Sequence, residues 1–152
     1  EHACLYCNEK GVLISGDQVL PKISPNISVW HQQPEANPLS EYLITLEGIK
    51  RKVPNGTLLL PSHNSPFWDF HKRIDDLRAH HYERLSKVIE ICKTPVTAVN
   101  VMEKLFNRNL DTHQIFFALG ETLAHLHFLW KEGRVKRELG KSGVFLFSLT
   151  YS

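Results

Sequence analysis

Leu13-Ile14-Ser15-Gly16-Asp17 is a short apolar run that stops at a glycine and a carboxylate, and Leu58-Leu59-Leu60-Pro61-Ser62-His63 is a second run that stops at a histidine. Together they predict two strands whose ends carry metal-capable side chains, in the loops where an α/β layer fold places its reactive groups. A third such residue, His2, immediately precedes a strand-like run over Ala3–Tyr6. Between the two quoted stretches lies a loop rich in Pro and Asn, from Pro21 to Asn37. Asn37-Pro38 then reads as N-cap and first helical position. Leu39, Tyr42, Leu43 and Leu46 follow at helical spacing, before a stop at Pro54-Asn55-Gly56. The first half is therefore a strand–strand–helix–strand unit. The continuous apolar run Leu58–Leu60 suits a strand covered on both faces.

The second half reads differently. Ile74, Leu77, Leu85, Val88 and Ile91 suit one amphipathic helix from Phe70 to Cys92, which Thr94-Pro95 ends. Thr97 caps a short helix through Phe106, and Asp111 or Thr112 caps a third that stops at Gly133. Val135–Leu139 and Val144–Leu149 flank a Gly140–Gly143 turn as a β-hairpin. Three helices and a hairpin in that order outline a winged-helix domain. Charge divides at the same place. Residues 1–70 carry 5 Lys/Arg against 7 Asp/Glu, and residues 71–152 carry 13 against 9. Two domains, 1–70 and 71–152, are the expectation.

Composition narrows the class. With 42% hydrophobic and 22% charged residues, the 152-residue chain is that of a soluble globular protein. No apolar run approaches the roughly 20 residues of a membrane span. A net charge of +2 is too near neutral to announce a nucleic-acid partner. Three cysteines make no disulfide framework, so a cytoplasmic location is expected. Glu1 is read as a boundary inside a longer protein. Cys4-Leu5-Tyr6-Cys7 has the spacing of zinc and redox sites, but side chains three apart on a strand point to opposite faces. His125 and His127, two apart on a helix, diverge by about 200° and cannot share a metal. His80 and His81 form a helix-face pair, of which His81 is a candidate for lining an active-site cleft. Trp30 is a candidate for the substrate pocket, with packing against the sheet its alternative.

These stretches resemble the C-terminal half of a metallo-β-lactamase-fold hydrolase of the glyoxalase-II-like and lactamase-B-like kind, with a winged-helix tail. Glu1-His2 followed by Ala-Cys-Leu-Tyr resembles the end of that family's GHSPGH-x-x-LY segment. Leu13–Asp17 resembles its LFSGD strand, and Leu58–His63 its LLLPGH strand. Pro25-Asn26-Ile27-Ser28 is similar to a loop of the same subgroup. Arg73–His81 and Ala118–Leu126 resemble its tail. The resemblance implies an α+β fold, the C-terminal half of an αββα sandwich followed by a mostly helical domain. It also implies two divalent metal ions, with zinc first among candidates. His2 would be a ligand of the first site, Asp17 the carboxylate bridging both metals, and His63 a ligand of the second. Asp17 is thereby the expected catalytic residue, and the substrate a small thioester or ester-like molecule. The metals would polarise a carbonyl or phosphoryl centre. Two departures stand out. The family's His-x-His-x-Asp-His signature is absent from the chain, so residues 1–152 alone are expected to be inactive. Ser62 and Asn64 stand where the family has glycines beside the histidine.

The winged-helix outline carries an alternative, a metal-dependent endoribonuclease or a non-catalytic nucleic-acid-binding module. The third helix reads Gln114-Ile115-Phe116-Phe117-Ala118-Leu119-Gly120-Glu121, too apolar to read base edges. Lys131 and Arg134 begin a basic stretch along the hairpin, in which Lys136, Arg137 and Lys141 are the candidate phosphate contacts.

Overall fold

The computed structural model describes residues 3–107 and 109–150. In chain order the elements are β1 (Leu5–Cys7), β2 (Val12–Gly16), α1 (Pro38–Lys52), β3 (Leu58–Pro61), α2 (Phe70–Ile91), β4 (Val96–Thr97), α3 (Ala98–Leu105), α4 (Thr112–Lys131), β5 (Val135–Leu139) and β6 (Phe145–Leu149). This is the mixed α+β class that the resemblance implies. The backbone falls into two compact units. The first takes the described residues up to Pro25 together with Tyr42–His80, and the second takes Asn26–Glu41 with the described residues from His81 onward.

The first unit holds a three-stranded sheet ordered β1-β2-β3. β1 and β2 form an antiparallel hairpin around Gly11, whose φ of 58° is the left-handed conformation glycine reaches without strain. β2 and β3 run parallel, with Leu13 opposite Leu59 and Ile14 opposite Leu60. A parallel pair needs a crossover, and α1 supplies it. Alternation along the strands decides burial. Leu13, Ser15 and Leu59 lie on the covered face, at 2%, 0% and 0% exposure. Leu5 and Ile14, on the other face, are 64% and 47% exposed. On β3 itself Leu58 and Leu60, which face away from that side, are half-buried, so among the described residues the second face is partly covered.

Side chains from α1 and α2 tie this unit together. Tyr42 donates its hydroxyl to the Gln18 carbonyl at 3.2 Å. Arg73 donates to the carbonyls of Leu20 and Ile23 at 2.7 and 2.9 Å. These three bonds fix the segment that leaves β2. Arg78 pairs with Glu47 at 2.7 Å, joining the two helices directly. Asn37 does not act as a side-chain cap. Its Oδ1 is buried and accepts no hydrogen bond, while its carbonyl accepts from Glu41 N–H at 3.3 Å.

In the second unit the caps form as the sequence predicts. Thr97 accepts from Asn100 N–H ahead of α3, and Asp111 and Gln114 form a reciprocal capping box at the start of α4. α4 is buried along much of its length, at Ala118, Thr122, Ala124, Leu126 and Leu129 among others, as a central helix must be. The hairpin β5–β6 pairs in register from Val135↔Leu149 to Leu139↔Phe145. The two-residue β4, short enough to escape the sequence patterns, adds to β6 and gives the order β4-β6-β5.

Candidate functional site

The first unit brings polar side chains together where strands end. Because β2 and β3 are parallel and nearly in register, their following residues emerge at the same sheet edge. β2 shifts register between Ile14 and Gly16, and Gly16 takes a φ of 54° before Asp17. The Gly16 carbonyl accepts from Ser62 N–H at 3.2 Å, locking the two turns to each other. Asp17 Oδ1 consequently accepts a short hydrogen bond from Ser62 Oγ and lies 3.5 Å from His63 Nε2. Both side chains are open to solvent, His63 more than Asp17 (63% against 39%).

Asn64, next along, has a φ of 67°. That is the left-handed region, which glycine occupies freely and asparagine tolerates better than most residues. The asparagine that departs from the family's glycine thus keeps the turn. His2 lies outside the described residues. Nearby, Cys4 Sγ donates to the Ser15 carbonyl at 3.6 Å, and Leu5 pairs with Ile14, so β1 begins at the edge where β2 ends. Cys4 and Cys7 are both free, and burial pushes the Cys4 thiol up, away from the reactive thiolate. Among the described residues no three His, Cys, Asp or Glu side chains form a metal-sized cluster. What does converge is one carboxylate and one imidazole, a donor pair suited to zinc and similar borderline ions.

The second unit carries a partly open, largely apolar cavity of about 480 Å³. Trp30 lines it, its ring 5.7 Å from that of Phe116. Leu119, Leu123, Val99 and Phe145 contribute further walls. The loop that carries Trp30 is held against α4 at Gly120, whose carbonyl accepts from Val29 N–H at 3.2 Å. A Cβ on Gly120 would stand 2.7 Å from Ser28 Oγ and 2.8 Å from Ser28 Cβ, so only glycine admits this approach.

Polar groups meet the cavity around Arg137. Its guanidinium lies 3.8 Å from the Trp130 ring centre and 4.5 Å from that of Phe145, and donates to Glu35 at 2.7 Å. That hydrogen bond holds the Glu35 carboxyl below its ordinary range. His127 donates from Nδ1 to the Ala36 carbonyl at 3.0 Å, and burial holds its pKa down.

The remaining sequence candidates are placed as follows. His81 is buried (1% exposed), with Nδ1 3.3 Å from His125 Nε2. His125 and His127 turn to different partners, as their spacing requires. Lys136 pairs with Glu138 at 2.8 Å on the same strand, and Lys141 is exposed in the hairpin turn. Arg137, 12% exposed, is engaged with Glu35 and two aromatic rings. Glu35 and His127 had no signal in the sequence, because what distinguishes them is a partner far along the chain.

A family model for the metallo-β-lactamase-like C-terminal domain matches residues 85–150. Among solved structures, a β-lactamase domain protein from Burkholderia ambifaria is 46% identical with a TM-score of 0.94, over 98% of this chain and 44% of that one. A metallo-β-lactamase family protein from Thermus thermophilus is 34% identical with a TM-score of 0.82, over 98% of this chain and 45% of its own. The chain thus spans less than half the length of either. No curated protein matches it.

Proposed function

Since the chain belongs to the metallo-β-lactamase family and corresponds to the C-terminal portion of its fold, we propose that the whole protein is a metal-dependent hydrolase. The observation that carries this reading is the meeting of Asp17 and His63 at the ends of two parallel strands, 3.5 Å apart. His2, Asp17 and His63 would hold part of a pair of divalent ions, zinc first among candidates. Such ions, when bound, polarise the electrophile and offset the negative charge that develops on it. The protein's own part is positional. Ser62 Oγ donates to one oxygen of Asp17 and so fixes the carboxylate's orientation, in the manner of groups that hold metal ligands in place. The bond from Ser62 N–H to the Gly16 carbonyl keeps the Asp17 and His63 turns in register.

Thioester or other small ester-like substrates come first. Two described donors are too few to hold an ion, so we assign activity to the full-length protein rather than to residues 1–152 alone. We read the second unit as a winged-helix-like domain, from its helix, strand, two helices and hairpin with β6 central. Three free thiols accord with a cytoplasmic location. Among the described residues no helix is long and apolar enough to cross a membrane.

The test is metal analysis and thioester turnover on the full-length protein and its Asp17→Asn and His63→Ala variants. Bound metal and turnover are expected to fall together in both, with the melting temperature of the second unit unchanged. Full turnover in Asp17→Asn, or turnover by residues 1–152 alone, would overturn the reading.

A further inference from the structure

We propose that the second unit carries a binding site for a small amphipathic carboxylate, with the apolar tail in the cavity and the carboxylate on Arg137. The inference stands apart from the metal reading, since every residue it uses belongs to the second unit.

The apolar cavity of about 480 Å³ is partly open to solvent, so a small molecule can enter it. Its size lies within the roughly 300–1,000 Å³ of small-molecule pockets. Its walls are mostly apolar, with Leu119, Leu123 and Phe116 among them and Ser28, His31 and Thr97 adding a few polar groups. The larger part of a ligand's tail there is therefore hydrocarbon.

Arg137 decides the head group. Stacking on Trp130 and Phe145 holds its guanidinium in one plane, and its side chain is only 12% exposed. Glu35 accepts from Nη2 alone, which leaves Nε and Nη1 to donate to a second planar acceptor. The charges around it have a sign. Arg137 and Lys131 face one carboxylate, Glu35, with Lys131 3.8 Å from it. Burial disfavours a charge on His127 beside them, against the pull of its hydrogen bond to the Ala36 carbonyl. An anion therefore enters a site of net positive charge, whereas a cation would meet two others. A carboxylate matches the fork in shape as well as in charge. Glu35 is 58% exposed and competes for the same fork, so it weakens rather than creates the site.

The experiment is isothermal titration calorimetry of the full-length protein with octanoate, octanol and octylamine, three probes with one tail. Octanoate is expected to bind about tenfold or more tightly than octanol, and octylamine weakest. Arg137→Met should reduce octanoate to the octanol value. Glu35→Gln should tighten octanoate several-fold, and Leu123→Trp, which fills the cavity, should abolish binding of both. Equal affinity for acid and alcohol would overturn the role of Arg137, and preference for the amine would make Glu35 the recognition group instead. Absence of binding by all three would show that the cavity takes no small amphiphile. The three-probe comparison on the unaltered protein decides the matter even where a variant fails to fold.

Discussion

In the first unit, Asp17, Ser62 and His63 meet because two parallel strands end together, and each residue sits one or two positions past an element that the chain defines locally. In the second, Glu35 and Arg137 meet across 102 positions, and the cavity beside them exists only because a loop, two helices and a hairpin pack around it. A cluster of the first kind is small, solvated and set by backbone register. A pocket of the second kind is larger, drier and set by side-chain volumes. The difference teaches where each is vulnerable. Loss of register disperses the polar cluster, while a single change in bulk closes or floods the cavity.

The largest expected effect tests whether one face of the first unit's sheet is covered more fully than the other. Leu59→Ala removes a side chain with no exposure and should cost about 2–5 kcal/mol of stability in urea denaturation. Ile14→Ala, on the opposite face and 47% exposed, should change stability by no more than about 0.5 kcal/mol. Equal costs in residues 1–152 would mean that both faces are covered alike.

A smaller effect belongs to the second unit. Gly120→Ala gains about 1 kcal/mol of helix propensity but drives its Cβ into Ser28, an overpacking worth about 1–3 kcal/mol. A net loss of about 1 kcal/mol is expected. The double variant Gly120→Ala, Ser28→Gly should recover it, since the clash is with the Ser28 side chain itself. Simple additivity of the two changes would show that the loop is not seated on α4 through this contact.

The smallest effect is a pH dependence. Burial holds His127 below its ordinary value of 6.5 in the folded protein. Above that pH both states are neutral and stability is full. As pH falls through 6.5 the unfolded chain takes up the proton first, so stability declines toward the folded value. His127→Gln should flatten this limb in a series of thermal melts. A further loss below 4.5, from the Glu35 carboxylate that Arg137 holds ionised, should persist in that variant. An unchanged limb near pH 6.5 would locate the titration elsewhere.

Much of the architecture was legible because its causes are local. Periodicity placed α1 and α2, and Thr97, Asp111 and Gly133 marked the helix ends that bound α3 and α4. Asn37 stands directly before Pro38 as read, and its carbonyl accepts the first helical bond from Glu41 N–H, but its buried Oδ1 does not cap a free N–H of the first turn. His81 could be placed on a helix but not on a face, since its burial against His125 depends on how α2 and α4 pack within the second unit.

The chain by itself determined that Asp17 and His63 stand just past strands, that Gly16 and Asn64 turn the backbone there, and that α3 and α4 begin where they do. Each follows from dihedral preference or a hydrogen bond reaching only a few residues. Only the tertiary structure decided how far each face of the β1-β2-β3 sheet is covered among the described residues, that Arg137 pairs with Glu35 and stacks on two aromatic rings, and that Trp30 borders a cavity. Burial and charge pairing are properties of what arrives beside a residue in space, and no period in the sequence records that.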